Sequence, residues 1–295
     1  MRKNEPVTSA TRQPETPPAA LPPRLIATDL DGTLLRDDKS VSPRTVAALA
    51  AAEEAGIEVF FVTGRPARWM DVVSDHVHGH GLAIVGNGAA VVDLHGGPGA
   101  HRFVKVRDLA PQNALDAVRL LREAVPGTVY AVEQTYGFHQ EPDYPPLHME
   151  TPDNLAPAEE VLLPGGVAEG EPVLKILAYH PTIDPDAFLT LARLAVGDRA
   201  TVTRSSPSAL LELSGPGVSK ASTLALCCAE RGIAPEEVVA FGDMPNDVEM
   251  LTWAGRSYAM GNAHPDAVAA ASGRTTANNE DGVAVVIERL LAERL

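Results

Sequence analysis

The sequence predicts an α/β protein in which a doubly wound, Rossmann-like parallel sheet forms the core and carries an inserted α+β domain. Three observations predict this fold. Short apolar runs repeatedly end in a polar or glycine-rich turn and are followed by an amphipathic helix. The runs are almost continuously apolar, which is typical of parallel strands covered on both faces. A middle segment of the chain has a different pattern, in which several alternating strands surround only two helical stretches.

The core is expected to span residues 24–92 and 211–295. Its first part alternates strand and helix, in the order RLIATD, SPRTVAALAAAEEAG, IEVFFVTG, RPARWMDVVSDHV and LAIVGNGAAVV. Its second part continues with EVVAFGD, MPNDVEMLTWAG, SYAM and HPDAVAAAS. Ligands of such sheets bind beyond the carboxyl ends of the strands. We therefore expect Asp29, Thr63 and Asp243, each of which ends an apolar run, to meet at one rim.

The inserted domain, or cap, is expected to span residues 93–210. Its predicted strands are RFVKV, TVYAVEQ, VLKILAYH and ATVTRSS, and its predicted helices are APQNALDAVRLLREAV and DPDAFLTLARLAV. A long proline-rich loop covers residues 141–166. The sequence shows no repeat of the solenoid type.

Composition and charge exclude some classes of partner. The chain has 295 residues and a formal net charge of −15 at pH 7. An acidic balance of this size argues against nucleic acid or an anionic membrane as a partner. An anionic substrate must then be attracted by local cations. The motifs do not specify an oligomeric state.

Residues 1–23 are predicted to be a disordered tail, because they are rich in Pro, Thr and Ala and poor in large apolar residues. They lack the apolar segment of a secretory signal, and no apolar run approaches the roughly 20 residues of a membrane helix. Adjacent Cys227 and Cys228 lie in an apparent helix and are interpreted as small buried residues in a reducing compartment. We therefore expect a cytoplasmic protein with no membrane partner.

Asp29 and Asp31 follow the first predicted strand in the stretch RLIATDLDGTLL. In a strand, residues i and i+2 point to the same side, so both carboxylates can face one site while Leu30 faces the core. Gly32 allows a sharp exit from the strand. A simple Asx turn at the end of a strand would also explain this pattern by itself.

Asp243 and Asp247 strengthen the prediction of a functional rim. Together with Asp29 and Asp31 they would form a cluster of carboxylates. Two unpaired charges 4 Å apart repel by about 4 kcal/mol at an effective dielectric constant of 20, so such a cluster needs a cation. Oxygen ligands that include few carboxylates suit Mg²⁺, which keeps waters and shares a substrate phosphate.

Several motifs occur in order along the chain: DLDGTLL, VTGRP, GPGVSK, GDMPNDVEML and AMGNAHPDA. Together they resemble the haloacid dehalogenase superfamily and, within it, the Cof-type phosphatases with a type IIB cap. The resemblance runs from Arg24 to the end of the chain. By contrast, GPGVSKAS lacks the spacing of a Walker loop, and GNGAAV at Gly86 is too short for a dinucleotide fingerprint.

The resemblance implies a phosphatase that works through covalent catalysis. Asp29 would be the nucleophile and form an aspartyl-phosphate, and Asp31 would act as general acid and base. Mg²⁺ would be held by Asp29, by the backbone carbonyl of Asp31 and by Asp243. Asp247 would support this metal site.

The resemblance also implies how the phosphoryl group is held. Thr63 and the amide of Gly64 would bind its oxygens, Lys220 would neutralise its charge, and Asn246 would lie near it. Mg²⁺ and Lys220 would reduce the repulsion between the attacking carboxylate and the phosphate.

The function predicted from these features is Mg²⁺-dependent hydrolysis of a small phosphorylated metabolite, such as a sugar phosphate. Two alternatives stay open. One is a phosphomutase, in which the phosphoenzyme would outlast a substrate flip. The other is a catalytically silent regulator that binds a phosphorylated metabolite on the same fold.

The cap is expected to select the substrate, because the core motifs recognise only the phosphoryl group and both hinges of the insertion lie beside the catalytic rim. Tyr136 and His139, after the second cap strand, are candidate contacts to the leaving group. An ordinary strand edge with an exposed histidine is the alternative interpretation of these two residues.

Overall fold

A computed structural model describes residues 21–74, 81–147, 151–167 and 169–293 of the chain. Except for residues 21–23, the predicted N-terminal tail lies outside the described residues. Within these ranges no helix combines the length and the apolar character that crossing a membrane would require.

The strands of the described ranges form two sheets. They are β1 (Leu25–Thr28), β2 (Glu58–Val62), β3 (Leu82–Val85), β4 (Ala90–Asp93), β5 (Arg102–Val106), β6 (Val129–Gln134), β7 (Phe138–Gln140), β8 (Asn154–Leu155), β9 (Val173–Tyr179), β10 (Thr201–Thr203), β11 (Leu210–Ser214), β12 (Val238–Gly242), β13 (Arg256–Ala259) and β14 (Gly273–Arg274).

The α-helices lie between single strands or runs of strands along the chain. They are α1 (Pro43–Glu54), α2 (Asp71–Ser74), α3 (Pro111–Ala124), α4 (Ala158–Leu162), α5 (Pro185–Val196), α6 (Lys220–Glu230), α7 (Val248–Trp253), α8 (Pro265–Ala270) and α9 (Gly282–Ala292). Local sequence explains several of the starts. Ser42 and Asp184 accept hydrogen bonds from the first turns of α1 and α5, each of which has a proline at its first position.

The larger sheet, here called the core sheet, has the strand order β14-β13-β12-β1-β2-β3-β4-β5 among the described residues. The pairs from β14 to β3 are parallel. One face packs against α1 and α9 through residues such as Leu49 and Ile287, and the other packs against α6 and α7 through Leu224 and Met250. The prediction of a doubly wound α/β core is therefore confirmed.

The far edge of the core sheet departs from the predicted pattern. The segment LAIVGNGAAVV, predicted as one strand, is the antiparallel pair β3 and β4 around a tight turn at residues 86–88. Three successive residues in this turn have positive φ, which reverses the chain. The following β5 pairs antiparallel with β4.

The smaller sheet, here called the cap sheet, has the order β10-β11-β9-β6-β7-β8. Its pairs are antiparallel except for β7 and β8. Leu115 of α3 and Phe188 of α5 belong to the cluster that covers one face. Phe138 and Leu177 belong to a second cluster on the other face.

Two strands lie in a different sheet from the one that the predicted boundaries assign to them. The strand RFVKV, placed in the cap by a boundary at residue 93, is β5 of the core sheet. The strand β11, which the boundary at residue 211 divides, pairs along its length with cap strands. Backbone pairing with distant strands decides the membership of both, and the local pattern of apolar residues does not reveal that pairing.

Candidate active site

Three neighbouring parallel strands end at one rim of the core sheet. Asp29 follows β1, Thr63 follows β2 and Asp243 follows β12. Since β12, β1 and β2 are adjacent and parallel, their carboxyl ends lie side by side. All three side chains are buried.

Asp29, Asp243 and Asp247, here called the acidic cluster, lie close enough to hold one cation. One carboxylate oxygen from each lies within 4.8 Å of the others. Lys220 joins the cluster from the start of α6 and donates hydrogen bonds of 2.7 Å to Asp29 Oδ1 and to Asp247 Oδ1. The lysine is 1% exposed. Two of the three buried carboxylates thus pair with one buried ammonium group.

Both oxygens of Asp247 already have partners. Oδ1 accepts from Lys220, and Oδ2 accepts from the backbone N–H groups of Asp243 and Met244 at 3.0 Å. Asp247 therefore holds the turn that carries Asp243 and fixes Lys220. This arrangement suits the supporting role that the motif implies.

Asp243 is packed against the turn that follows Asp31. Thr33 donates a hydrogen bond of 3.0 Å to Asp243 Oδ1. Gly32 has a φ of +73°, and a Cβ atom there would collide with the Asp243 carboxylate. A glycine is therefore required at residue 32 both by the backbone conformation and by the close approach of this side chain.

The acidic cluster carries more negative charge than its surroundings compensate. Burial raises the pKa of Asp29 well above its usual range, Asp247 and Asp243 raise it further, and Lys220 opposes the shift. Burial and the charge of Asp247 raise the pKa of Asp243 to about 7. Burial would lower the pKa of Lys220, but Asp247 and Asp29 raise it.

These residues fit a divalent cation. The raised pKa values of Asp29 and Asp243 indicate that Lys220 alone does not offset the charge of the three carboxylates, and a bound Mg²⁺ would supply the further positive charge that favours their ionised forms. Asn246 supplies a second indication, because its buried Oδ1 has no hydrogen-bond partner.

Asp31 does not belong to the acidic cluster through its side chain. Arg65 donates to both Asp31 oxygens, at 2.6 and 2.7 Å, and Lys39 donates to Oδ1 at 2.8 Å. Burial would raise the pKa of Asp31, but the hydrogen bonds and charges of Arg65 and Lys39 lower it to about 2. The side chain is therefore ionised, and both of its oxygens are held by Arg65 and Lys39 at a distance from the acidic cluster.

Thr63 and Gly64 lie in the loop beside the acidic cluster. Thr63 is 1% exposed and its Oγ1 accepts from the backbone N–H of Arg65 at 3.1 Å. The Gly64 carbonyl accepts from the cap residue Lys175 at 2.6 Å. Both residues line the same cavity as Asp29, Asp243 and Asn246, whereas Lys220 lies behind the acidic cluster.

The cavity has a volume of about 450 Å³ and lies between the rim and the cap sheet. The cap contributes a mixed wall of aromatic, aliphatic, hydroxyl and charged side chains. The cap residues that line the cavity include Glu133, Phe138, Lys175, Leu177, Ser205, Ser206, Leu210 and Glu212. On the core side, Arg68 pairs with Glu133 and lies 5.1 Å from the centre of the Phe138 ring.

Tyr136 and His139 do not line this cavity. Tyr136 is 77% exposed, and its ring meets that of Phe103 edge to face at 5.4 Å. His139 is buried in the cap, where it is hydrogen-bonded to Gln134 and Asn154. Since successive strand residues point to opposite faces, the neighbour of His139, Phe138, is the one that reaches the cavity.

Sequence reasoning also missed the residues that join the core to the cap. Asn87, Lys175 and Glu212, here called the core–cap junction, form a buried network. Lys175 and Asn87 donate to Glu212 Oε2 at 2.6 and 2.8 Å. The signal in the sequence was a lysine and a glutamate inside otherwise apolar strands, VLKILAY and LLELS. Such residues are rarely buried without partners.

Comparison with known proteins adds an independent finding. A sequence profile of haloacid dehalogenase-like hydrolases matches residues 26–287. The 5-amino-6-(5-phospho-D-ribitylamino)uracil phosphatase YitU of Bacillus subtilis (strain 168) is 31% identical over 270 residues, which cover 89% of this chain and 95% of YitU. The HMP-PP phosphatase of Klebsiella pneumoniae (strain 342) is 29% identical over 244 residues, which cover 82% of this chain and 85% of that phosphatase.

Comparison with a solved structure points to the same family as these relatives. The structure of a haloacid dehalogenase-like hydrolase from B. subtilis is similar to this chain with a TM-score of 0.76 and 25% sequence identity. The similarity covers 90% of this chain and 99% of that chain.

Proposed function

This chain belongs to the haloacid dehalogenase-like hydrolase family, and from that premise we propose that it is a Mg²⁺-dependent phosphatase of a small phosphorylated metabolite. The observation that carries the proposal is the acidic cluster of Asp29, Asp243 and Asp247 beside a cavity of about 450 Å³. Buried carboxylates that outnumber their cations favour a site for Mg²⁺ and a phosphoryl group together.

Asp29 attacks the phosphorus in the first step. Its Oδ1 is hydrogen-bonded to Lys220, so its other oxygen forms the new O–P bond as the bond to the leaving oxygen breaks. The product is an aspartyl-phosphate and the free alcohol of the substrate. When bound, Mg²⁺ would be held by Asp29, Asp243 and the carbonyl of Asp31, and it would supply positive charge that keeps the carboxylates ionised and offsets the charge of the phosphate.

Asp31 moves the protons in both steps. It gives a proton to the leaving oxygen, and it then takes one from the water that attacks phosphorus and breaks the bond to Asp29. Arg65 and Lys39 hold Asp31 ionised before substrate enters. A phosphate nearby attracts both cations and, as a like charge, raises the pKa of Asp31. We expect Asp31 to take up a proton from solvent water as the phosphate binds, and this is the proton that it gives to the leaving oxygen.

The phosphoryl oxygens are bound by the residues around the acidic cluster. Thr63 supplies a hydroxyl group, Gly64 a backbone N–H, and Asn246 the amide hydrogen that it does not use within the protein. Lys220 neutralises charge through Asp29. These groups are already fixed by the fold, so little reorganisation is needed during transfer.

The leaving group is expected to be small and partly flat. The cavity wall combines the rings of Trp69 and Phe138 with the charged pair of Arg68 and Glu133. The name of YitU describes a phosphate on a ribityl chain that is attached to a uracil ring. Such esters therefore belong in a substrate panel beside sugar phosphates.

The test is hydrolysis of p-nitrophenyl phosphate and of that panel with Mg²⁺. A phosphatase releases inorganic phosphate, whereas a phosphomutase produces an isomeric ester and a silent binder releases nothing. Acid quenching during turnover should trap phosphate on the wild-type enzyme and none on Asp29→Asn. The absence of hydrolysis across the panel would refute the proposal.

A further inference from the structure

The turn Gly86–Gly88, whose GNG sequence is too short for a dinucleotide fingerprint, contacts the loop at Thr63, the start of α6, Glu212 of the cap and Asn246. The φ angles of its three residues are +57°, +56° and +102°. The backbone N–H of Asn87 donates to the Thr63 carbonyl at 3.0 Å. The Gly88 carbonyl accepts from Thr223 of α6 at 2.7 Å, and a Cβ at Gly88 would collide with the backbone just before Lys220.

The side chain of Asn87 is the centre of a relay of hydrogen bonds. Its Nδ2 donates to Glu212 Oε2 of the cap at 2.8 Å, and its Oδ1 accepts from Asn246 Nδ2 at 3.0 Å. Asn87 is 2% exposed. A continuous path therefore leads from a cap carboxylate to a residue of the candidate active site.

The charge of Glu212 sets the direction of this relay. Burial would raise the pKa of Glu212, but the charge and hydrogen bond of Lys175 lower it. The ionised carboxylate can only accept hydrogen bonds. Asn87 must then turn its NH₂ group toward Glu212 and its carbonyl toward Asn246, and Asn246 must turn its NH₂ group toward Asn87.

The outcome at Asn246 is a fixed amide. Its Nδ2 donates to Asn87, whereas its carbonyl Oδ1 has no hydrogen-bond partner. Asn246 lines the cavity beside Asp243. A reversed amide would place a donor where the free acceptor now lies, in the cavity that Asp29 and Asp243 also line.

We propose that Asn87 is a positioning residue that transmits the orientation imposed by Glu212 of the cap to Asn246 of the core. The proposal rests on the proposed phosphatase function in one respect, namely that Asn246 lies against the reacting phosphoryl group. The consequence is that contact between the cap and the core completes the phosphoryl site. The cap would then affect the chemical step for every substrate, in addition to selecting among substrates.

Asn87→Gly is the most direct variant. Glycine adopts the left-handed conformation of residue 87 without strain, so the turn is kept while the side-chain relay is removed. We expect kcat to fall about tenfold or more, with KM changed much less, because the relay acts on the transition state. The loss should be similar for p-nitrophenyl phosphate and for a larger ester, since the phosphoryl end is common to both.

Variants of Glu212 test the direction of the relay. Gln offers a carbonyl oxygen at the position that accepts from Lys175 and Asn87, whereas Leu offers no acceptor. Glu212→Gln should therefore retain more activity than Glu212→Leu. The double variant Asn87→Gly/Glu212→Leu should be no worse than the poorer single variant, because both changes break one path. Glu141→Gln is the control: Glu141 is a buried cap carboxylate bonded to Arg122, Tyr130 and Ala158, and its change should leave kcat as in wild type.

A measurement that does not use turnover separates this proposal from the phosphatase function. In protein labelled with ¹⁵N-asparagine, the side-chain amide of Asn246 should exchange slowly with solvent, and this protection should be lost in Asn87→Gly. Loss of protection together with the fall in kcat supports the proposal. If wild type hydrolyses no ester but the protection follows Asn87, the phosphatase function fails and the relay stands.

Two results would overturn the proposal. One is full kcat in Asn87→Gly. The other is a fall in kcat together with a lower unfolding temperature and unchanged protection of Asn246, which would indicate general destabilisation. If Glu212→Leu does not fold, Asn87→Gly and the exchange measurement still decide between these outcomes.

Discussion

The acidic cluster and the core–cap junction are both buried groups of charged side chains, yet their electrostatic states are opposite. In the acidic cluster, Lys220 pairs with Asp29 and Asp247, and the pKa values of Asp29 and Asp243 are raised. In the junction, Glu212 faces Lys175 and its pKa is lowered. Asn87 of the junction accepts a hydrogen bond from Asn246, which lies next to Asp247 in the chain.

This difference shows that the protein pairs the charges of the junction with its own residues, whereas the acidic cluster needs a ligand. A buried charge is tolerated when it is paired and hydrogen-bonded. The junction meets this condition with its own residues, so it can act as a rigid link. The acidic cluster does not meet it, so its stability and its protonation depend on what binds there.

Asp29→Asn is expected to have the largest effect on the acidic cluster and its activity. The change removes the proposed nucleophile and should lower kcat by about a thousandfold or more. It also removes one of the crowded charges, so the metal-free variant should be at least as stable as wild type. Steady-state kinetics and thermal unfolding measure the two effects, and Asp116→Asn on α3 is the surface control. Retention of more than a small percentage of activity would show that Asp29 is not the nucleophile.

Removal of the metal comes next in expected effect. EDTA should stop turnover, Mg²⁺ should restore it, and Ca²⁺ should restore it poorly because its coordination shell is larger and looser. Asp243→Ala should raise the Mg²⁺ concentration that gives half-maximal activity more than Asp247→Ala does. Asp247→Ala should instead lower the unfolding temperature, because Lys220 and two backbone N–H groups lose an acceptor. Full activity in metal-free buffer would contradict this prediction.

The opposite pKa shifts should give opposite dependences of stability on pH. The pKa of Asp243 is about 7 in the folded, metal-free protein, against an ordinary value of 3.8. Between these values the folded state holds a proton that the unfolded state has lost. Its stability therefore falls as pH rises through this window, by up to about 1.4 kcal/mol per pH unit.

The junction contributes in the other direction. Because the pKa of Glu212 is lowered, its contribution to stability is fully present above the ordinary pKa of a glutamate and is lost as pH falls through the lowered value. Urea unfolding at several pH values checks both parts. Saturating Mg²⁺ should remove the decline toward pH 7, whereas Asp243→Asn should reduce it to the part that the raised pKa of Asp29 contributes, and both should leave the loss in acid. A decline of unchanged size in Asp243→Asn would show that Asp243 does not cause it.

The smallest expected effect concerns substrate choice at the cap wall. Phe138→Leu should change kcat/KM among natural esters by a few-fold and affect p-nitrophenyl phosphate less, because Phe138 lines the cavity beyond the phosphoryl site. Tyr136→Leu, an exposed aromatic residue nearby, is the matched control and should change neither. Equal changes in the two variants would show that the cavity wall does not select the substrate.

Sequence by itself determined the family, the core fold and the position of the acidic cluster. The motifs around Asp29 and Asp243 predicted the family, and the profile match confirms it. Their placement was predictable because each ends an apolar parallel strand, and the carboxyl ends of adjacent parallel strands meet by geometry. This inference needs only local pattern and one rule of topology.

Tertiary structure alone decided the partners of these residues. Arg65 binds Asp31 from 34 residues away, Asn87 meets Glu212 across 125 residues, and no periodicity in the sequence encodes either pairing. The sequence also does not show which side of the cap sheet faces the cavity. Phe138 lines the cavity and the next residue, His139, packs inside the cap, so a shift of one residue along the strand would exchange their positions. Long-range pairing of strands fixes these choices, and with them how the cap and the core form one site.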